Sequence, residues 1–192
     1  MADARQQILD TAASLFASRG YELVGINEII EKADVAKATF YAHFKSKEKL
    51  CAAWLKADSE QGQASNRALL EEKRPAIEKV KKRFDGLRKY VASSNYRGCP
   101  FSITASMLDA SSEVRDIIRD HKAAYRAFWQ ALASEIKSDP VAARLLGDTL
   151  FLLYSGSIME SQNARSTWPA ESARTAALAL CSTEDAFATA TS

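Results

Sequence analysis

The chain has 192 residues, 47% hydrophobic and 26% charged, which is enough apolar side chain for a buried core. Its net charge of only +2 does not mark a nucleic-acid binder, so any basic surface must be local. Three cysteines, Cys51, Cys99 and Cys181, odd in number and far apart, argue against a disulfide framework or a zinc site and for a reducing, cytoplasmic compartment.

The N-terminal MADARQQILD lacks the basic-then-apolar pattern of an export signal, and no run approaches the ~20 apolar residues of a membrane span, so a soluble protein without a membrane partner is expected. Almost every segment repeats its apolar residues with helical period and none alternates like a strand, which makes the fold class all-α. The first helix is predicted from Asp3 to Ser18, with Ile8, Ala12, Leu15 and Phe16 on one face, and stops at Gly20 before the apolar Tyr21. A second, short helix carries Ile26, Ile29 and Ile30 and ends in Ala33-Asp34-Val35, where Asp34 tolerates a left-handed backbone. The third begins near Ala36 and lasts barely two turns, because Ser46, Lys47 and Glu48 read as the N-cap and first turn of a fourth. Two short helices joined by a three-residue turn make a helix-turn-helix, here at about residues 25–44.

Within TFYAHFKSKEKL, Phe40 and Phe44 stand four apart and, with Val35, supply the side that packs inward. Lys37 and Tyr41 share the adjacent face, with Thr39 beside them and His43 and Lys47 near the helix end. Residues 36–49 carry net +3, whereas residues 1–35 carry net −3, so the positive charge is concentrated on this element. The pattern G-Y-x-x-x-x-I-x-x-I…A-x-V-x-K-x-T-F-Y-x-H-F-K-S-K-E-x-L, from Gly20 to Leu50, closely resembles the DNA-binding domain of TetR-type transcriptional regulators, and the resemblance covers about residues 5–55. It implies a three-helix helix-turn-helix DNA-binding domain at 1–46, a helical bundle for ligand binding and dimerisation at 47–182, and a tail at 183–192 that frays. It also implies a homodimer on double-stranded DNA with a palindromic operator.

On this resemblance Lys37, Thr39 and Tyr41 approach base edges or nearby phosphates, and His43 and Lys47 clamp the backbone. Gly25 offers backbone N–H groups to phosphate, and the Ala38 methyl is placed to touch a thymine methyl. The chain departs from the family pattern at Val24-Gly25, Ile30, Asp34, Ala36 and Ala38; Gly25 keeps a usable N-cap but loses a hydroxyl that could bind phosphate, and Ala36 removes a side-chain cap from the third helix.

The fourth helix is predicted from Lys47 to Leu70, with Leu50, Trp54 and Ala57 facing inward, before Pro75 restarts the chain. The fifth carries Ile77, Val80, Phe84, Leu87 and Val91 on one face, and Lys79, Lys81, Lys82, Arg83, Arg88 and Lys89 on a face read as solvated. Pro100 opens a short helix, and a long one follows from about Ser112 to Lys137. Asp139-Pro140 caps the next, whose Leu145, Leu146, Leu150, Phe151, Leu153, Tyr154, Ile158 and Met159 spread over an arc too wide for one small domain to hide. Trp168-Pro169 opens a last, Ala-rich helix through Cys181. These two helices suit a two-fold four-helix interface, with Leu150 at its centre.

Trp54, Cys99, Phe101, Met107, His121, Tyr125, Trp129, Phe151 and Tyr154 are candidates to line an effector cavity, each with a plain core reading beside it. Gly98-Cys99-Pro100 resembles a local feature of some TetR-type C-terminal domains, and Cys99, next to Arg97 at a helix start, reads either as a reactive thiol or as a buried packing residue. There is no Gly-rich phosphate loop, no G-x-S-x-G and no H-E-x-x-H, and His121 has no His or Cys at ligand spacing, so neither enzyme activity, metal nor cofactor is expected. The function expected is a ligand-responsive, homodimeric repressor released from its operator by a small-molecule effector. The alternative is an all-α ligand-binding or carrier protein with a vestigial DNA-binding end, motivated by Gly25 and Ala36.

Overall fold

The computed structural model describes residues 3–93, 96–106 and 113–183. Among them the chain is all-α, without strands, in the order α1 (Ala4–Arg19), α2 (Ile26–Lys32), α3 (Lys37–His43), α4 (Lys47–Glu71), α5 (Ala76–Val91), α6 (Pro100–Ala105), α7 (Glu113–Ser134), α8 (Pro140–Ala164) and α9 (Trp168–Ser182). Met107 and residues 184–192 of the expected tail lie outside the described residues.

Local chemistry sets the helix ends. The Asp3 side chain accepts from Arg5 N at 3.0 Å to open α1, Ser46 Oγ accepts from Lys49 N at 3.1 Å to open α4, and Asp139 accepts from Ala142 N at 2.8 Å to open α8. Gly20 (φ 87°) ends α1 and donates its N–H to Phe16 O at 2.8 Å. Asp34 takes the left-handed conformation (φ 49°) that the turn between α2 and α3 demands.

The packing forms two compact units, one drawn from residues 1–61 and 99–121, the other from 62–98 and 122–192. This division does not follow the expected boundary at 46/47, because α4 runs unbroken from Lys47 to Glu71 and contributes to both. Its polar DSEQGQASN stretch remains helical, and the buried face is Leu50, Cys51, Trp54 and Leu55 rather than one including Ala57, which is exposed. In the first unit α1, α2 and α3 pack on one another, burying Ile8, Ala12, Phe16, Val24, Ile29, Phe40 and Phe44.

In the second unit α9 lies against α5 and α8 around Val80, Phe84, Trp129, Leu132, Leu146, Leu150, Ala170 and Ala177. Helices α7 and α8 approach closely at Gly147, where an added methyl would come within 2.6 Å of Gln130 Cα. Beside that notch Asp148 accepts from Arg126 at 2.7 and 2.5 Å and from Gln130 at 2.7 Å.

Three expectations are corrected here. The basic face of α5 is not wholly solvated: Lys79 is only 4% exposed and donates to Leu70 O (2.7 Å) and Glu135 (2.9 Å), and Arg83 turns toward Tyr125. These partners are remote in sequence, so helical periodicity could not reveal them. Leu150 is fully buried within its own chain, and the outward apolar stripe of α8 is Val141 (75% exposed), Leu145 (44%) and Leu152 (67%), with Trp168 (58%) on α9. Finally, α8 is long and apolar enough to cross a membrane by length and composition alone, because it is apolar on both its core-facing and its outward sides.

Candidate nucleic-acid interface

Helix α3 has seven residues, too few to be stable alone, and is held by two rings: Phe40 is fully buried and Phe44 nearly so, their centroids 6.3 Å apart. Helix α1 braces the turn before it, with Gln7 Nε2 donating to Ala33 O at 2.8 Å and the Arg5 guanidinium 5.4 Å from the Phe44 ring centroid. Fixing those rings turns Lys37, Ala38, Tyr41 and His43 to solvent, with Thr39 partly exposed. Lys45 Nζ donates to Tyr41 O at 3.1 Å across the end of the helix.

Lys47 is held from two sides, 4.2 Å from the centroid of the Tyr21 ring and 3.3 Å from Glu22 O, to which its ammonium donates. Burial, with a smaller contribution from Cys51, pushes the Tyr21 phenol up to about 12, so it presents a neutral ring to the ammonium. Gly25 is exposed at the N-cap of α2 and closes no hydrogen bond with a side chain. The segment before it is fixed by Arg19, which pairs with Glu28 at 2.5 Å and donates to Leu23 O at 3.0 Å. All seven residues expected at the DNA face, Gly25, Lys37, Ala38, Thr39, Tyr41, His43 and Lys47, therefore lie in the first unit, and none is buried.

Residues 8–54 match the family model for bacterial regulatory proteins of the tetR family. That stretch is similar to the DNA-binding domain of TetR-type regulators. The chain is 45% identical over 51 residues to the Transposon Tn10 TetC protein of Escherichia coli, covering 27% of this chain and 26% of that protein. With the HTH-type transcriptional repressor NemR of Escherichia coli K12 it shares 39% identity over 46 residues, 24% and 23% of the two chains. The matched stretch thus spans about a quarter of these relatives. The TetR-type likeness extends to the whole fold. A TetR-family transcriptional regulator from Streptomyces coelicolor superposes with a TM-score of 0.84 over 93% of this chain and 94% of its own, at 23% identity. Reduced Escherichia coli NemR does so with 0.80 over 91% and 95%, at 20% identity.

The TetR-type pattern is weakest at the helix caps, and this has a measurable consequence. Gly25 (φ −86°) has extended backbone and nothing within 4 Å of where a Cβ would stand, so Gly25→Ser fits without strain and closes the N-cap of α2. The variant is expected to gain a few tenths of a kcal/mol, up to ~1, in denaturant unfolding and to bind DNA more tightly through the added hydroxyl.

The residues expected to line an effector cavity are divided between the two units, apart from Met107, which lies outside the described residues. Trp54 packs on Phe16 with centroids 5.4 Å apart, so it belongs to the core behind the helix-turn-helix. Phe101 stacks face to face on His121 at 3.5 Å, and His121 Nδ1 lies 3.0 Å from Ser59 Oγ. Cys99 is buried at the N-cap of the six-residue α6. These four are in the first unit, whereas Tyr125, Trp129, Phe151 and Tyr154 are in the second. There Phe84, Tyr125, Phe128, Trp129 and Tyr154 form a ring cluster, with Phe84–Tyr154 and Trp129–Tyr154 centroids both 5.4 Å apart.

Sequence reasoning missed Arg83, whose Nε donates to Tyr125 Oη at 2.7 Å inside this cluster. It also missed a polar cavity of about 760 Å³ at the end of α8, lined by Tyr96, Arg97, Ser161, Gln162 and Arg165 among others, in which Ser161 Oγ and Gln162 Oε1 are buried without a hydrogen-bond partner. No motif distinguishes these residues in the sequence.

Proposed function

We propose that the chain is a ligand-responsive DNA-binding transcriptional regulator, acting in the cytoplasm as a homodimeric repressor on a palindromic operator. The observation that carries this reading is α3: its two phenylalanines are locked in the core while Lys37, Tyr41 and His43 face outward beside the braced Lys47. The helix-turn-helix supported by residues 1–46 contacts DNA, and residues 47–182 bind the effector and dimerise. Effector binding favours a dimer shape in which the two recognition helices no longer match successive major grooves. The repressor sign accords with relatives such as NemR, although another relative, FasR, is named an activator. Relatives named as transcriptional regulators likewise support a regulator rather than an enzyme. A carrier with a vestigial DNA-binding end is disfavoured by the intact packing behind α3.

The test is a mobility-shift titration with the promoter region beside the chain's own gene, across salt concentrations. Lys47→Ala should weaken binding to all sequences and reduce the salt slope by about 0.9, one phosphate's worth, while Lys37→Ala should also relax base preference. An unchanged affinity and slope in Lys47→Ala would remove that residue from the interface.

A further inference from the structure

Arg83, like the buried Lys137, which donates to Thr183 O, differs from Lys79 and Arg174. Lys79 has Glu135 at 2.9 Å and Arg174 has Asp85 at 2.6 Å, whereas Arg83 has no carboxylate within ion-pairing distance among the described residues. Its Nε and Nη2 both donate to one neutral oxygen, Tyr125 Oη, and its guanidinium carbon lies 5.2 Å from the Tyr125 ring centroid and 5.6 Å from that of Tyr154. Burial holds the Tyr125 phenol well above its ordinary value, so the hydroxyl supplies no negative charge. In the same cluster the fully buried Trp129 has its Nε1–H without an acceptor. The cluster is therefore rich in donors and poor in acceptors.

The Nε/Nη2 edge of a guanidinium matches the two oxygens of a carboxylate, and a charged bidentate acceptor binds it more strongly than a single phenol oxygen. The surrounding rings of Phe84, Trp129 and Tyr154 favour a flat apolar body and offer little to a small hydrated ion.

We propose that Arg83 anchors the effector, an organic carboxylate with a flat apolar body, which displaces the Tyr125 hydroxyl from the guanidinium edge. This rests on the ligand-responsive reading above and specifies its ligand class. Tyr125 is then a gate that competes with the ligand, and its removal strengthens binding.

The full-length protein is titrated with 1-naphthoate, with the uncharged 1-naphthamide and with inorganic phosphate at matched ionic strength, following tryptophan fluorescence and thermal unfolding. Naphthoate is expected to bind saturably and raise the unfolding temperature, with naphthamide and phosphate weaker by about tenfold or more. Arg83→Met should lose about 10- to 100-fold in naphthoate affinity, and Arg83→Lys should fall between, keeping the charge but not the fork. Tyr125→Phe should bind naphthoate about 2- to 10-fold more tightly, a gain that a purely structural tyrosine does not give.

No binding of naphthoate to the wild type, equal binding of naphthamide or phosphate, or unchanged or weakened binding in Tyr125→Phe overturns the proposal. Mobility shifts on the same samples separate the two readings. Naphthoate that binds but leaves the DNA complex intact counts against effector control and leaves the site standing. Release of DNA by other compounds, with no naphthoate bound, overturns the site alone.

Discussion

Gly147→Ala is expected to destabilise the protein, although alanine is the better helix former by ~1 kcal/mol. The added methyl would meet Gln130 Cα at 2.6 Å and Gln130 N at 2.9 Å, and neither backbone atom can rotate aside. Helices α7 and α8 must part, which stretches the Arg126–Asp148 and Gln130–Asp148 hydrogen bonds beside the notch. Overpacking of this kind costs about 1–3 kcal/mol and more where backbone is the obstacle, so the net loss should be about 2 kcal/mol, or roughly 4–8 °C in unfolding temperature. Gly86→Ala is the matched control: it lies within α5 with nothing within 4 Å of the added Cβ, and should gain ~0.5–1 kcal/mol. Calorimetry that found both variants stabilised would show that α7 and α8 do not meet at Gly147.

That contrast shows what the sequence can and cannot convey. Local chemistry was legible: Asp3, Gly20, Asp34 and Ser46 each do what their residue type allows at a helix end, and the four-residue spacing of Phe40 and Phe44 identified the buried side of α3. The outward face of α3 followed, because on so short a helix the outward residues are fixed once the inward ones are. Effects that depend on a distant partner were not legible. Gly147 and Gly86 look alike until Gln130 is placed, and Lys79 looks solvated until Glu135 is. The wide apolar arc of α8 was visible as a whole, but which side faced the chain's own core was not, and Leu150 was assigned to the wrong side.

Leu152→Arg is the second large effect expected. Leu152, Val141 and Leu145 form an exposed stripe on α8, and the partly exposed Met159 lies two turns beyond Leu152. Isolated exposed leucines are ordinary, but a stripe along one long helix beside the exposed Trp168 is what a second copy would cover. In a two-fold dimer each introduced guanidinium would meet apolar surface close to its symmetry mate, without a counter-charge. The variant should sediment as a folded monomer with wild-type helix content, and its operator affinity should fall by about 10²–10⁴-fold as the two half-sites cease to be linked. Leu150→Arg should unfold the chain instead, since that side chain is fully buried within its own core. A Leu152→Arg protein that remains dimeric would place the interface elsewhere.

The uncapped starts of α2 and α3 bear on the timing of recognition. Neither Gly25 nor Ala36 closes its helix with a side-chain hydrogen bond, whereas Asp3 does so for α1. The opening amides of α2 and α3 should therefore exchange their hydrogens with solvent well before those of α1, through local fraying that leaves the phenylalanine-anchored side of α3 in place. On the proposed reading a phosphate oxygen of the operator would supply the acceptor for these amides, so binding would complete the two helices at the moment of contact. The ordering would appear as new exchange protection at residues 26–28 and 37–39, and as an unfavourable entropy of association that Gly25→Ser, by closing α2 beforehand, should lessen.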